Sequence, residues 1–165
     1  MDGALGFNTF EKQDKVLVGL NGGMDAAVTV RILQEQGFAV QAALVHFAGM
    51  ADDAVETAQN AAKALDVPLH VIEAADTAAD ELLKFQLLMQ TADKLDCRFI
   101  STGHYARVEQ DADECRLCVP EHAECDQTAL LEVLPQEILA RLILPLGEFD
   151  KESVQEIAQD IGCAE

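Results

Sequence analysis

Val16-Leu17-Val18-Gly19-Leu20-Asn21-Gly22-Gly23-Met24-Asp25-Ala26-Ala27 decides the fold of this chain. An apolar, β-branched run stops at a Gly-Gly turn, and from Asp25 onward the residues read as the start of a helix. A buried strand that ends this way delivers backbone N–H groups to a phosphate. Glycine lets the main chain approach closely, and the helix N-terminus favours an anion. Gly19, Asn21, Gly22, Gly23, Asp25 and Ala26 are therefore the first candidates for binding a ligand. Gly22, Gly23 and Asp25 fit two roles, holding a phosphate or Mg2+ or serving as turn and N-cap residues. Asn21 keeps a side-chain donor in either case.

Outward from this point the pattern alternates. Residues 15–20 read as a buried strand and 25–36 as a helix that Gly37 ends. Residues 38–47 form a second apolar run and 52–65 a helix with Val55, Ala58, Ala62 and Leu65 at helical spacing. A strand at 69–73, a helix at 80–95 and a strand at 98–102 follow. This β-α-β-α-β-α-β order predicts an α/β fold, a Rossmann-like parallel sheet with helices on both faces. Beyond Gly103, residues 105–108 and 116–119 read as a small β-hairpin, 129–134 as a fifth sheet strand, and 135–142 and 151–161 as amphipathic helices. No internal repeat or linker interrupts the chain, and residues 1–165 are expected to form a single domain.

Half of the 165 residues are hydrophobic, so a packed core is expected. No apolar run is long enough to span a membrane, and the first residues lack the basic flank and apolar stretch of a signal peptide. A cytoplasmic protein that does not engage membranes is the expectation. Eleven Lys+Arg stand against thirty Asp+Glu, a formal net charge of −19. Nucleic-acid affinity rests largely on neutralising phosphates with cations, so this balance argues against direct nucleic-acid binding. Five cysteines, an odd count, argue against a disulfide framework.

Cys115, Cys118, His122 and Cys125 place four soft ligands in a short span, a set that suits zinc or an iron–sulfur cluster. The Cys-x-x-Cys pair also suits a redox couple. Against both, 116–119 is expected to be extended, which sends Cys115 and Cys118 to opposite faces. Metal-free thiols are the expectation. Cys97 and Cys163 flank core elements, and His46 and His70 are expected to pack rather than react.

Taken together, several segments resemble the tRNA-specific 2-thiouridylase family, PP-loop ATP pyrophosphatases also described as tRNA methyltransferases. Asn21-Gly22-Gly23-Met24-Asp25-Ala26-Ala27 resembles the Ser-Gly-Gly-x-Asp-Ser-Ser loop with every serine replaced. Lys84-Phe85 resembles the Lys-Phe that opens a family helix. Ser101-Thr102-Gly103-His104-Tyr105-Ala106-Arg107 matches Ala-Thr-Gly-His-Tyr-Ala-Arg almost throughout. Asp126-Gln127-Thr128 is similar to Asp-Gln-Ser, Leu144-Pro145-Leu146-Gly147-Glu148 to Phe-Pro-Leu-Gly-Glu, and residues 154–162 to the helix that follows.

The resemblance implies an adenine nucleotide α-hydrolase-like (HUP) fold that binds ATP or AMP. It also implies that Gly103 approaches the nucleotide, that Val45 touches adenine, and that His104 faces tRNA. A structural role for His104 at the strand end is equally compatible. In the family ATP adenylates the uridine and a cysteine persulfide supplies sulfur. The nucleophilic cysteine lies in a Thr-Pro-Asn-Pro-Cys segment before the Lys-Phe helix. Here 69–73 runs through 74–83 directly to Lys84, and that segment is missing. The chain also ends before the family's second cysteine and its C-terminal tRNA-binding domains. The expected protein is thus a degenerate adenine-nucleotide-binding domain without catalytic residues of its own. It would act in sulfur or tRNA-modification physiology, through a protein partner or as a homodimer. Two alternatives stay open: an active pyrophosphatase adenylating a non-tRNA acceptor, and a metal- or sulfur-handling module built on the cysteine cluster. Restoring serine at Asn21, Ala26 and Ala27 is expected to tighten ATP binding at little cost to stability, on the premise that these positions face solvent.

Overall fold

Val16, Leu17 and Val18 are completely buried because β1 (Lys15–Gly19) lies at the centre of a five-stranded parallel sheet. The computed structural model describes residues 15–20, 24–47, 52–74, 81–110, 114–122 and 126–161. After β1 come α1 (Met24–Glu35), β2 (Ala39–Phe47), α2 (Ala54–Leu65), β3 (Leu69–Ala74), α3 (Glu81–Lys94) and β4 (Phe99–Ser101). An antiparallel hairpin follows, β5 (Arg107–Gln110) with β6 (Cys115–Cys118), then α4 (Gln136–Leu139), β7 (Leu142–Ile143) and α5 (Lys151–Asp160). The sheet order is β3-β2-β1-β4-β7.

Alternation along the strands divides the core between two faces. Val16, Val18, Val40 and Ala42 pack with Ala27, Val30 and Leu33 of α1 and Ala61, Ala62 and Leu65 of α2. Leu17, Ala43, Val45, Phe47 and Ile100 pack with Phe85, Leu88 and Ala92 of α3 and Ile138 and Leu139 of α4. Helices therefore cover both faces, as the order of elements predicts. Gly37, at φ +99°, ends α1 in the left-handed region that a glycine adopts without strain.

Two assignments need correction. Residues 129–134 are not a sheet strand: Thr128–Leu131 is a turn of 3-10 helix, and Leu131, Leu134 and Ile138 are buried at helical spacing against α3. Short apolar runs do not distinguish strand from helix, and here helical packing won. The fifth strand is β7, which begins at the last residue of the stretch assigned to a helix over 135–142; it aligns Leu142 with Ile100 and Ile143 with Ser101. The hairpin starts two residues later than expected because Tyr105 and Ala106 are drawn completely into the core.

Arg141 fastens this edge. Its Nε donates to the Arg98 carbonyl, its Nη2 to the Cys97 carbonyl and its Nη1 to Asp93 Oδ1, each at 2.8 Å. The guanidinium thus ties the approach to β7 to the link between α3 and β4. Arg141→Ala is expected to destabilise the fold by about 2–3 kcal/mol, since hydrogen bonds to a charged group are individually worth about that much. Arg141→Lys should restore only part, because one ammonium cannot reproduce a planar fork. Urea unfolding of the two variants checks both expectations.

Candidate nucleotide site at the carboxyl edge of the sheet

The chain leaves β1 towards β2 on one side, while β4 and β7 lie on the other. The strand order reverses between β1 and β4, and open α/β sheets bind ligands outside the carboxyl ends of the strands at such a point. Val18 aligns with Ser101, so Gly19 and the Thr102-Gly103 pair end side by side at this edge. Asp25 and Ala26 open α1 above them, and Val45 comes to the same edge on β2. The structure thus brings Gly19, Asp25, Ala26, Val45 and Gly103 to one edge of the sheet. Asn21, Gly22 and Gly23 lie outside the described residues.

Gly103 is held against the first turn of α1. A Cβ there would stand 2.8 Å from the Ala26 nitrogen and from the Asp25 carbonyl carbon. What its bare Cα permits in this molecule is the close approach of α1. Ala26 and Ala27 are both buried, Ala27 completely, in the core beneath α1. The premise that they face solvent is therefore wrong. The hydrophobic side of α1 begins in its first turn, because β1 and β2 pass directly under it.

Three residues assigned no role from the sequence complete the edge. The Tyr105 hydroxyl donates to Asp25 Oδ1 at 3.0 Å, and Lys151 Nζ lies 3.6 Å from Asp25 Oδ2. The same ammonium sits 4.8 Å from the centroid of the Tyr105 ring, within cation–π range. Gln127 locks Tyr105 in place: its Oε1 accepts from the Tyr105 N–H at 2.9 Å and its own N–H donates to the Tyr105 carbonyl at 3.0 Å. The Asp-Gln-Thr stretch is thus a brace for the His-Tyr stretch. Lys151 carried a signal in the sequence. A cation in the first turn of a helix opposes the dipole and calls for a partner.

Asp150, the N-cap of α5, accepts from the Ser153 N–H at 2.8 Å. That backbone bond, with the Ser153 side chain, holds its carboxyl below the ordinary aspartate range. A lowered folded value means that the cap stabilises above the ordinary carboxylate range and is lost as the pH falls through the folded value. In acid, the turn that carries Lys151 is therefore expected to lose this cap.

His104 Nδ1 lies 2.7 Å from Thr102 Oγ1, and its ring stacks at a tilt on Phe85 with centroids 6.1 Å apart. His46 Nδ1 pairs with Glu73 Oε1 at 3.0 Å across the β2–β3 register, and His70 Nε2 meets Gln41 Oε1 at 2.8 Å. Cys115 and Cys118 stand three apart on strand β6, one buried and one half-exposed, and both are free thiols. The Gln136 amide bonds both backbone polar groups of Cys115 at 2.7 Å. Among the described residues, His122 included, no group of three or more His, Cys, Asp or Glu is placed to hold a metal. Cys125 and Cys163 lie outside the described residues. Burial pushes the Cys97 thiol up from its ordinary value, the opposite of what a nucleophilic thiolate needs.

With this geometry in view, the kinship of the chain is informative. A model of the tRNA methyl transferase HUP domain matches residues 14–82 and 74–164. The tRNA-specific 2-thiouridylase MnmA of Treponema denticola is 34% identical over 183 residues, covering 90% of this chain and 50% of that protein. MnmA of Clostridium perfringens is 30% identical over 183 residues, covering 90% and 51%, and MnmA 3 of Bacteroides fragilis is 30% identical over 175, covering 92% and 48%. The chain spans about half the length of these relatives. The alignments run longer than the 165 residues of this chain while using about nine-tenths of them. The relatives therefore carry residues inside the matched region that are missing here. The two matched stretches overlap at 74–82, where the sequence passes from β3 straight to the Lys84 helix.

Two solved structures share the fold. A predicted subunit of tRNA methyltransferase from Methanocaldococcus jannaschii has a TM-score of 0.51 at 19% identity, covering 88% of this chain and 75% of that one. NMN synthetase from Francisella tularensis has a TM-score of 0.60 at 14% identity, covering 94% and 67%. The match over both halves of the chain leads to one statement of kinship: this protein belongs to the tRNA methyl transferase HUP domain family.

Proposed function

We propose that this chain is a cytoplasmic adenine-nucleotide-binding domain related to the tRNA 2-thiouridylases, with catalysis weak or absent, that serves sulfur or tRNA-modification physiology through a partner. The observation that carries this reading is the composition of the carboxyl edge. The first-turn N–H groups of α1 and the Lys151 ammonium suit a phosphate, whereas Ala26 and Ala27 stand where the resemblance puts serines. The fit to a nucleotide is thus partial. Cationic and backbone donors are present, and the hydroxyl donors are gone. A bound nucleotide would supply its phosphate charge, with Mg2+ as its counter-ion. Lys151 would balance that charge, and the closed contact of Gly103 with α1 would keep the helix N-terminus in place.

In this reading the sulfur-transfer cysteine of the family has no counterpart at its expected place. The stretch between β3 and Lys84 lacks a cysteine, and Cys97 is a buried thiol with its pKa raised. ATP incubated with the protein and bulk tRNA is expected to release no pyrophosphate above background. With a net charge of −19, a gel shift at physiological salt is expected to show no tRNA complex. Stoichiometric pyrophosphate release, or a salt-dependent micromolar complex, would contradict the proposal.

A further inference from the structure

Resting on the nucleotide-binding reading, we infer that Tyr105 is a positioning residue of that site: one buried phenol holds both the Asp25 carboxylate and the Lys151 ammonium at the phosphate-facing end of α1. The side chain is completely buried, packed with Val28, Leu146, Val154 and Ala158. Its backbone is fixed at both polar atoms by Gln127. With the ring enclosed and the main chain pinned, the hydroxyl points at Asp25 Oδ1, 3.0 Å away.

The consequences for charge follow from this geometry. The phenolic O–H occupies a lone pair of Asp25 and fixes the carboxylate plane, which leaves Oδ2 towards Lys151. The ring face gives the ammonium a second seat, so Lys151 does not depend on the carboxylate alone. Lys151 is more than half exposed and can turn towards an incoming phosphate while it stays over the ring. Without the hydroxyl, Asp25 is free to rotate onto Lys151 and hold it away from the ligand. A purely structural Tyr105 would tie α1 to α5 and leave ligand preference unchanged.

NMR titration of the whole chain with ATP and with adenosine separates the two roles, using wild type, Tyr105→Phe, Lys151→Gln and the double variant. Tyr105→Phe is expected to weaken ATP about five- to twentyfold, the loss of one charge-assisted hydrogen bond, and to leave adenosine within about twofold. The double variant should bind ATP about as Lys151→Gln does, because coupled residues are not additive. Thermal unfolding measured alongside identifies any variant that has lost its fold, and exposed Lys151→Gln remains as a second probe of the same cluster. Equal weakening of both ligands by Tyr105→Phe, unchanged ATP affinity, or additive losses in the double variant would overturn the positioning role alone. Failure of the wild type to bind either ligand would overturn the nucleotide-binding reading and this inference with it.

Discussion

Gly147→Ala will unfold at a markedly lower temperature than the wild type. A Cβ at this position would overlap the Ala106 carbonyl oxygen and lie 2.6 Å from Arg107 Cγ. The obstructing oxygen belongs to main chain that is locked from both sides, by Tyr105 in the core and by the start of β5. The Gly147 carbonyl also accepts the Glu121 N–H at 2.9 Å, so the turn cannot back away without losing that bond. Overpacking costs about 1–3 kcal/mol, and against main chain that is held on both sides the upper end, about 3 kcal/mol, is expected. For a chain of this size that is a fall of roughly 6–12 °C in Tm. Scanning calorimetry reads it directly. An unchanged Tm would mean that the Pro145–Glu148 turn does not cross Ala106 as closely as described.

Returning serine to the loop will tighten ATP binding, but at two of the three positions only. A hydrogen bond to a charged group is worth roughly 1.5–3 kcal/mol, so Asn21→Ser with Ala26→Ser should gain at most about 3–6 kcal/mol, or roughly 10²–10⁴ in affinity, the share of Ala26 being reduced by its burial beneath α1. Ala27→Ser is different. Ala27 is completely buried in the apolar layer with Val16, Val30 and Leu33, where an added hydroxyl costs about 1–3 kcal/mol unless it bonds back to the preceding turn. The triple variant is therefore expected to bind ATP no better than the double variant and to melt lower. Titration calorimetry with matched unfolding curves tests this. A double variant that binds no better than wild type would show that the missing hydroxyls are not what weakens the site.

The sheet and its helices were legible because local signals agreed. The β-branched run at Val16–Val18, the glycine that ends α1 and the helical spacing of Ala58, Ala62 and Leu65 all pointed the same way. The region after β4 was harder to read. Ala129-Leu130-Leu131 has no period that separates strand from helix, and two-residue β7 is defined by its neighbour β4 rather than by its own sequence. At the site, the glycines and Asp25 were readable from their spacing. The Tyr105–Asp25–Lys151 cluster was not, because it joins residues far apart in sequence that only the packing of α5 on α1 brings together. The burial of Ala26 and Ala27 is likewise set by tertiary packing. The sequence marks the helix start without showing which side of its first turn meets the sheet.

One measurement bears most directly on the central claim that this is a weakened adenine-nucleotide site: calorimetric titration of the wild-type chain with ATP and Mg2+. Backbone donors, a helix dipole and one ammonium, without the loop hydroxyls, predict saturable binding with a Kd near a millimolar, roughly 4 kcal/mol of affinity. Low-micromolar binding would contradict the loss of function at the loop, and no binding at several millimolar ATP would contradict the existence of the site.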